Sequence, residues 1–570
     1  MNEVLDITFH GKLSSNTSLM LNKIATEKRD EFNEFISIIS RPNIDNLDWW
    51  VEGPASRNTY SSPLFHYYCV FYLLKKIIDK NKFNYIEIIL DSYSFATVVE
   101  DLLIKSEIFN CKVKVKKSLA LSLKHLLKKF FLLYFLFIRK SYQVLITRIL
   151  TPKLTLSKPI VLIDTFIMQG YIENDRWYGS FWSHLPDKNK QETFFVPTMV
   201  MTKFKDILSV YVKAHKSTRN YIFKEKYLKF SDVYYACRHS NRVKELKINK
   251  IDIDGYDFSK IIKEELNNNK DISSVFESIL TYRYISRFKE AGFSVRLAID
   301  WFEGQNLDKA WCMGFKRYFP NSKLIGYRPN ESFPFYLSTF PIPIESEANL
   351  LPDIFAIQGK ATHYTLCEFM PNLKSITIPS FKSEFIWSFK RAFKVNNILK
   401  ILVALPISVE SSKSIIEKSL MISTMPGNDN IKLTFKSHPA QSIKKIQASL
   451  GSQSRQVFFT KEKSFPGLLS ENDLLITEAS STCLEAMACG IPVVMMQNEE
   501  GLTFDSIPEM VSETMFRKVR SKNELINAIE FFAKASLDNP DQFMIEGQKV
   551  REDYFEPVSK EGVRRLMDFE

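Results

Sequence analysis

Short apolar runs rich in β-branched residues recur along this chain and alternate with stretches of helical periodicity. That alternation is typical of α/β proteins, in which parallel strands are joined by helical crossovers. In the first part of the chain, the runs that predict strands are 85–91, 159–166, 193–197, 294–300, 323–327, 354–359 and 375–379. After a polar and aromatic bridge the pattern restarts, with predicted strands at 398–406, 431–439, 456–460, 473–477 and 491–496.

The restart predicts a domain boundary at 385–397, and 570 residues are too many for a single hydrophobic core. We predict an N-terminal Rossmann-like domain over 1–390, a C-terminal Rossmann-like domain over 391–545 and a terminal helix over 546–570. Residues 204–290 predict a helical insertion in the first domain. The fold class is therefore α/β, with two Rossmann-like domains facing across a cleft, where ligands of open parallel sheets usually bind.

A net charge of +12 is concentrated in the basic segment 112–148, whose lysines and leucines recur at roughly helical spacing. Such a segment suits the anionic inner face of a membrane, and a core helix with a solvated basic face explains it equally well. No nucleic-acid-binding motif accompanies it, so we predict no nucleic-acid partner. The N-terminus lacks a secretory signal, and no apolar run reaches the roughly 20 residues that span a bilayer. We expect a cytoplasmic protein.

Seven cysteines without CxxC spacing and eight scattered histidines argue against a disulfide framework and a structural metal site. No GxGxxG, GxxxxGK[ST] or DxD motif is present, so dinucleotide-binding, P-loop and metal-chelating schemes lack their usual support. We therefore predict no metal and no cofactor.

The stretch LLITEASSTCLEAMACGIPV, 474–493, predicts a buried strand, a polar loop and a short helix that ends before the next strand. Glu478 begins the loop, and Thr482 with Glu485 has the spacing of a capping box. Ser480, Ser481 and Thr482 place hydroxyls and free backbone N–H groups at a helix start, which suits phosphate. An ordinary serine cap is the alternative.

A second polar element, LTFKSHP, ends another predicted strand of the same domain. Pro439 fixes the backbone after His438, and an imidazole beside Lys436 at the carboxyl end of a strand is suited to donate to a phosphate oxygen. A third element follows 398–406, where Ser408 lies in a turn before a helix and is a further candidate phosphate ligand. Together these loops predict a nucleotide site.

The HP pair followed by two serines before a small helix resembles bacterial GT-B glycosyltransferases that use CMP-activated sugars, such as Kdo transferases and sialyltransferases. The resemblance implies that His438, Pro439, Ser480 and Ser481 hold the CMP phosphate. The same stretch is similar to the donor region of GT-B enzymes that use nucleoside-diphosphate sugars, which often carry two glutamates with seven residues between them. Glu478 and Glu485 are separated by six residues here, a departure that favours a CMP donor.

Polysialyltransferase-like families show an acidic-acidic-glycine motif in their first domain, and the segment 298–315 offers Glu303 followed by Gly304, although Phe302 stands at the other acidic position. The resemblance implies that Glu303, or failing it Asp300, removes the acceptor proton. A capping or salt-bridged acid beside Lys309 is the alternative. Arg57, Asn58 and Arg328 follow aromatic runs, and arginine suits a donor carboxylate because of its bidentate fork. Surface loops explain these three residues equally well.

The wider pattern resembles bacterial surface-carbohydrate biosynthesis proteins. We predict a metal-independent glycosyltransferase that moves Kdo or a nonulosonic acid from a CMP-activated donor to a bacterial surface polysaccharide. Its expected partners are a nucleotide sugar and a glycan or lipid-linked glycan acceptor, with peripheral association at the inner membrane. The alternatives are a GT-B enzyme that uses a nucleoside-diphosphate hexose and a non-catalytic, membrane-docked assembly protein.

Overall fold

The computed structural model of the chain describes residues 3–80, 82–116, 119–151, 154, 158–173, 175–268, 271–391, 398–423, 430–439, 441–460, 463–539 and 541–567. The chain divides into two compact units. Unit 1 comprises Met1–Ile357, His363–Lys382 and Val558–Glu570, and unit 2 comprises Gln358–Thr362 and Ser383–Pro557.

The strands, in chain order, are β1 (Glu3–Asp6), β2 (Tyr85–Leu90), β3 (Lys112–Val115), β4 (Ile160–Ile167), β5 (Thr193–Met199), β6 (Asp252–Ile253), β7 (Tyr256–Asp257), β8 (Val295–Trp301), β9 (Lys323–Arg328), β10 (Ile354–Ile357), β11 (Ser375–Thr377), β12 (Leu399–Ala404), β13 (Ile431–Lys436), β14 (Leu474–Thr477), β15 (Val493–Met496) and β16 (Phe516–Val519).

The helices, in chain order, are α1 (Ser15–Glu27), α2 (Arg29–Ser40), α3 (Leu47–Trp50), α4 (Gly53–Ser56), α5 (Leu64–Asp79), α6 (Tyr93–Lys105), α7 (Leu119–Leu150), α8 (Phe181–His184), α9 (Asp187–Lys190), α10 (Ile207–His215), α11 (Lys224–Tyr227), α12 (Phe230–Cys237), α13 (His239–Val243), α14 (Ser259–Asn267), α15 (Ile272–Glu290), α16 (Asn306–Tyr318), α17 (Pro343–Glu347), α18 (Thr362–Leu366), α19 (Phe385–Ser388), α20 (Val409–Ser423), α21 (Ile443–Leu450), α22 (Phe465–Glu471), α23 (Thr482–Ala488), α24 (Lys522–Asp538), α25 (Gln542–Tyr554) and α26 (Lys560–Met567).

Unit 1 contains a six-stranded parallel sheet in the order β11-β10-β9-β8-β4-β5. The order reverses between β4 and β8, which makes the carboxyl ends of these two strands the topological switch point where ligands of such sheets bind. A separate three-stranded parallel sheet, β1-β2-β3, is formed by the N-terminal part of the chain.

Both faces of the six-stranded sheet are covered, and its strands are almost continuously apolar, as expected for a buried parallel sheet. Leu162, Ala298 and Leu324 pack on one face within a cluster that includes residues of α15 and α16. Val161 and Ile299 face the other side, where the C-terminal helix α26 contributes Val563 to the cluster.

Unit 2 contains a five-stranded parallel sheet in the order β13-β12-β14-β15-β16. This is the doubly wound order in which the first strand lies between the second and third, so the switch point falls between β12 and β14. Both strands are buried for most of their length, and one core cluster occupies the unit. The loops after β12, β13 and β14 therefore lie along one edge of the sheet.

The predicted α/β class is confirmed, with two Rossmann-like units built on parallel sheets. Most of the predicted apolar runs form strands, whereas 456–460 makes only a single bridge between Phe459 and Phe435. The sequence did not predict β1, β3 or β16. The last of these reads FRKV, and its charged side chains hide the apolar pattern.

The unit boundaries differ from the predicted ranges. Residues 358–362 belong to unit 2 because they pair with the end of α25, where Ala361 N donates to Asp553 O at 2.9 Å and Glu556 N donates to Gln358 O at 2.6 Å. Unit 2 then begins again at Ser383 and ends at Pro557, and the last helix packs on unit 1. The predicted insertion 204–290 is mostly helical, and its helix α15 packs on the central sheet of unit 1.

Candidate functional site

Three loops at the carboxyl edge of the unit 2 sheet lie close to one another. Gln441, after β13, donates through Nε2 to the carbonyl oxygen of Ile407, after β12, at 2.7 Å. Glu478, after β14, lies near the Ser411 hydroxyl at the start of α20, close enough for that hydroxyl to lower its pKa. The second of these contacts crosses the switch point between β12 and β14. We call this set of loops, residues 405–412, 437–439, 441–442 and 478–482, the edge site of unit 2.

Glu478 is a half-buried carboxyl group within the edge site. Burial raises its pKa above the ordinary value for glutamate, while the Ser411 hydroxyl and the charge of Lys418 act in the opposite direction. The net direction is upward, so this carboxyl group keeps its proton to a higher pH than an exposed glutamate does.

The three consecutive hydroxyl residues after Glu478 are all half-exposed. Ser480 Oγ accepts hydrogen bonds from Thr482 N at 3.3 Å and from Thr482 Oγ1 at 2.9 Å. Ser481 precedes α23 with helical backbone angles, and in the described chain its side chain makes no capping hydrogen bond. The hydroxyl groups are therefore held as a cluster at the surface of the unit.

The predicted capping box between Thr482 and Glu485 is wrong. Thr482 is the first residue of α23, and Glu485 Oε1 accepts from Ser383 Oγ at 2.8 Å instead. Glu485 is buried because Ser383 begins the second segment of unit 2 beside it. It is thus unavailable as the second of two donor-binding glutamates.

His438 and Pro439 follow β13, where His438 is half-buried and Pro439 is exposed. The carbonyl oxygen of His438 accepts from Gln441 N at 2.9 Å, which closes a tight turn. One strand, β12, lies between β13 and β14, so His438 and the Ser480 loop are separated by two interstrand spacings, about 10 Å at the backbone. A backbone separation of this size is wide enough for a phosphate group.

Two other predicted phosphate ligands have structural partners. Lys436 Nζ donates to the carbonyl oxygen of Lys463 at 2.9 Å, and burial lowers the pKa of this lysine. Ser408 Oγ accepts from Ser411 N at 3.3 Å and donates to Glu410 Oε2 at 3.1 Å, so it caps the start of α20. We infer that these residues shape the edge site and do not contribute its main ligand contacts.

Glu303 follows β8 at the switch point of unit 1 and is half-buried. Three side chains donate to its carboxylate: Trp301 Nε1 at 3.1 Å and Asn330 Nδ2 at 3.0 Å reach Oε1, and Gln305 Nε2 at 2.8 Å reaches Oε2. A carboxylate has about four lone-pair positions, so one position on Oε2 is left to accept a further hydrogen bond. Lys382 Nζ in turn donates to Asn330 Oδ1 at 2.7 Å.

The turn that presents Glu303 requires a glycine at position 304. Gly304 has φ of +72°, and a Cβ atom there would lie 1.9 Å from the carbonyl oxygen of Ser338. Asp308, in the first turn of α16, accepts from Glu303 N and Gln305 N at 2.8 Å each. The backbone around Glu303 is thereby fixed on both sides.

Asp300, the second predicted catalytic residue, is completely buried, so it cannot act on an acceptor. Its side chain lies on the face of the sheet that α15 and α16 cover, the face on which Ala298 packs. Ile163 pairs with Ile299, so Asp164 on β4 and Asp300 lie side by side one position later. In the described chain no hydrogen-bond partner reaches either carboxyl group. Burial, together with Asp308 and Asp164, holds the pKa of Asp300 well above its usual range.

The two predicted arginines lie inside unit 1 and not in surface loops. Arg57 is buried against Glu345, with Nη2 to Oε2 at 2.8 Å, and also donates to Asn33 and two backbone carbonyls. Arg328 donates to the carbonyl of Thr339 at 2.6 Å and to the Ser332 hydroxyl, and burial lowers its pKa to about 10. Neither guanidinium is placed to meet a donor carboxylate.

Lys309, the expected partner of the acidic residues, pairs with Glu345 at 3.0 Å instead. The side chains that support Glu303 were not predicted. They are Trp301, Gln305 and Asn330, with Lys382 acting through Asn330. One signal was available for Asn330, which follows β9 as Glu303 follows the neighbouring β8. Among the described residues, no group of three or more histidine, cysteine or acidic side chains is arranged to hold a metal ion.

No protein-family model matches the chain, and no curated protein matches it. The comparison with solved structures finds the N-terminal domain of trehalose-6-phosphate phosphatase from Candida albicans, with 13% identity, 73% of this chain and 97% of that chain covered, and a TM-score of 0.43. A UDP-GlcNAc 2-epimerase from Neisseria meningitidis bound to UDP-GlcNAc has 14% identity, coverage of 72% and 98%, and a TM-score of 0.40. MurG from Acinetobacter baumannii has 10% identity, coverage of 72% and 99%, and a TM-score of 0.37.

Proposed function

We propose that this chain is a glycosyltransferase that uses a nucleotide-activated sugar, with the nucleotide bound by unit 2 and the acceptor deprotonated by Glu303 of unit 1. The observation that carries the proposal is the edge site of unit 2. Its half-exposed hydroxyls and imidazole follow strands at and next to the switch point, where doubly wound sheets bind nucleotides.

The donor is proposed to bind through its phosphate to His438, Ser480, Ser481 and Thr482. Hydroxyl and imidazole groups donate hydrogen bonds to phosphate oxygens. These hydrogen bonds become stronger as negative charge develops on the leaving group. The span of about 10 Å from β13 to β14 accommodates one phosphate or two. A nucleoside-diphosphate hexose and a CMP-activated Kdo or nonulosonic acid both fit, the second supported by the resemblance of the HP and SS motifs.

In the proposed reaction, the acceptor hydroxyl oxygen bonds to the anomeric carbon of the sugar while the bond from that carbon to the phosphate oxygen breaks. The electron pair of the broken bond leaves with the nucleotide phosphate. The hydroxyl proton passes to the open position on Glu303 Oε2. The three donors that hold the carboxylate fix its direction, which general base catalysis requires.

The acceptor is proposed to be a glycan or lipid-linked glycan of a bacterial surface polysaccharide, and the site of action to be the cytoplasm at the inner face of the membrane. The resemblance to surface-carbohydrate biosynthesis proteins supports both parts of this proposal. A non-catalytic assembly protein of the same machinery is the competing function.

The direct test incubates the purified full chain with CMP-, UDP- and GDP-activated sugars and with free and lipid-linked oligosaccharides. Released nucleotide and the mass of the glycan product are measured. We expect one donor class to release its nucleotide in step with glycan extension. Release from no donor in the panel would contradict the proposal and favour the assembly protein.

A further inference from the structure

Helix α7 carries a second apolar face that its own unit does not cover. Leu132 and Phe137 pack against the core of unit 1, and Leu136 is buried in it. On another side of the helix a stripe of large apolar residues is exposed to solvent, and we call it the aromatic stripe. Its members are Leu127, Phe130, Phe131, Tyr134, Phe135 and Ile138.

The aromatic stripe follows the helical period. Its positions fall at intervals of three and four residues, which places them on one face of the helix. Phe130, Phe131 and Tyr134 are 65%, 64% and 60% exposed. Single exposed apolar residues are ordinary on a protein surface, but a contiguous patch of this kind marks a surface that binds something.

A neighbouring loop extends the same apolar surface. Phe204 is exposed and stacks on Tyr142 of α7 with ring centroids 5.0 Å apart, and it lies 6.4 Å from Phe135. Met201 is exposed at φ of +49°, a conformation that methionine rarely adopts. Arg139 holds this loop against the helix by donating to the carbonyl of Thr202 at 2.8 Å.

The charged residues in the segment of sequence that carries the stripe have one sign. Between Lys112 and Leu150 the sequence contains ten lysine and arginine residues and no aspartate or glutamate. Lys128 and Lys129 lie at the start of the stripe, and Lys203 and Lys205 flank Phe204. Apolar side chains bordered by lysines match the chemistry of an anionic lipid surface, with acyl chains below and phosphates above.

Two features of the same helix argue against a membrane span, although its length and composition permit one. Residues Leu127–Leu150 are long and apolar enough to cross a bilayer, but core helices of soluble proteins pass the same test. Lys140, in the middle of that range, is buried in unit 1 and pairs with Glu225 and Glu277 at 2.8 Å each. The aromatic stripe covers only 127–138, well short of the roughly 20 residues that span a bilayer.

We propose that the aromatic stripe and the loop around Phe204 form a docking surface for an anionic lipid bilayer, on which α7 lies at the interface without crossing it. The apolar side chains insert between lipid headgroups, and the lysines meet lipid phosphates. This inference is independent of the proposed glycosyltransferase activity, because it concerns residues outside both the edge site and the Glu303 site.

The test is co-sedimentation of the full chain with vesicles of phosphatidylglycerol mixed with phosphatidylcholine, and with vesicles of phosphatidylcholine alone. We expect partition into the anionic vesicles that weakens as salt increases. The triple variant Phe130→Gln/Phe131→Gln/Tyr134→Gln is expected to lose at least tenfold in partition. For Lys128→Gln/Lys129→Gln, partition into anionic vesicles is expected to fall on the order of tenfold, with no change on phosphatidylcholine alone.

The matched control is Phe458→Gln/Leu537→Gln, which removes two residues of unit 2 that are 79% and 80% exposed. It is expected to bind vesicles as the original chain does. The far-UV circular dichroism spectrum and the thermal unfolding midpoint of the triple variant report whether its fold is intact. Docking is overturned if the original chain stays in solution with anionic vesicles, if the triple variant binds them equally well, or if high salt and alkaline washing fail to release the chain. It is also overturned if the stripe instead forms a dimer that the triple variant dissociates.

Discussion

Asn330 donates a hydrogen bond of 3.0 Å to the carboxylate of Glu303, and the two residues follow the neighbouring strands β9 and β8. The bond joins the loops after two adjacent parallel strands, one of which borders the switch point of unit 1. Asn330 is itself held by Lys382 at 2.7 Å. Glu303 is thus a positioned carboxylate and not a loosely exposed one.

Replacing Glu303 with glutamine tests its role as the base. The amide cannot accept the acceptor proton, so we expect the transfer rate to fall by about 10²–10⁴-fold. Nucleotide affinity is expected to stay unchanged, because the nucleotide is proposed to bind unit 2. Sugar transfer and calorimetric nucleotide binding are measured side by side. Glu192→Gln, which changes another half-buried glutamate of the same unit, serves as the control. An active Glu303→Gln enzyme would contradict the assignment.

Gly304→Ala tests whether the turn at Gly304 is needed to present Glu303. The new Cβ would lie 1.9 Å from the Ser338 carbonyl oxygen, so the loop must move and transfer should be lost. Gly292→Ala is the matched control, because Gly292 has φ of +86° with no atom within 4 Å of the added carbon. Gly292→Ala is expected to lower the free energy of unfolding by the backbone strain alone, about 1–2 kcal/mol. Equal transfer rates in the two variants would show that the turn is not required.

The buried pair of Arg57 and Glu345 is expected to matter for stability and not for substrate binding. Arg57→Met leaves part of the charge of Glu345 uncompensated, and breaking a buried pair in this way costs about 3–5 kcal/mol. Arg41→Met is the control because its pair with Glu347 is exposed and contributes at most about 1 kcal/mol. Denaturant unfolding of unit 1 measures both. Similar losses in the two variants would argue against the buried network.

The ion cluster at His239 predicts how stability depends on pH. Burial lowers the pKa of His239, but hydrogen bonds to Asp48 at 2.7 Å and to Glu52 at 2.6 Å outweigh it and raise the pKa above its usual value of 6.5. The protonated ring therefore stabilises the fold at pH below 6.5, and this contribution is lost as pH rises through the raised pKa.

The measurement for His239 is the thermal unfolding midpoint across that pH range. His239→Gln, which cannot take up a proton, is expected to unfold at a lower temperature in acid and to show a flatter dependence on pH. Asp48 affects stability at low pH. Burial raises its pKa, but hydrogen bonds from His239 and Arg242 lower it overall, so its contribution is lost only in strong acid. An unchanged slope in His239→Gln would show that other groups set the pH dependence.

Strands buried on both faces could be predicted from the sequence, because continuous apolar runs such as 160–163 have few alternatives in an α/β chain. Strands that carry charged side chains among their apolar residues could not be predicted in this way. In β3, KVKV, and β16, FRKV, the lysine and arginine side chains conceal the period. The segment 358–362 was also missed, since its membership of unit 2 depends on backbone hydrogen bonds to residues almost two hundred positions away.

The sequence could predict which loops form the candidate site. Ser480, His438 and Glu303 follow strands as expected, because residues after parallel strands lie at one edge of a sheet. The orientation of a side chain was not predictable at that level. Asp300 lies three positions before Glu303 but faces the helices, and Arg57 is buried by residues more than 270 positions later. Burial of this kind is decided by tertiary packing, which a single sequence does not encode locally.

The proposed activity depends on nucleotide binding by the edge site of unit 2, through His438 and the hydroxyls after β14. Isothermal titration of the full chain with CMP, UDP and GDP measures this binding, alongside His438→Ala/Ser480→Ala and the control His215→Ala/Ser454→Ala. We expect saturable binding of one nucleotide that is at least tenfold weaker in the first variant, a loss of about 1.4 kcal/mol, and unchanged in the control. Binding of no nucleotide, or equal binding by both variants, would rule out a nucleotide site at this edge.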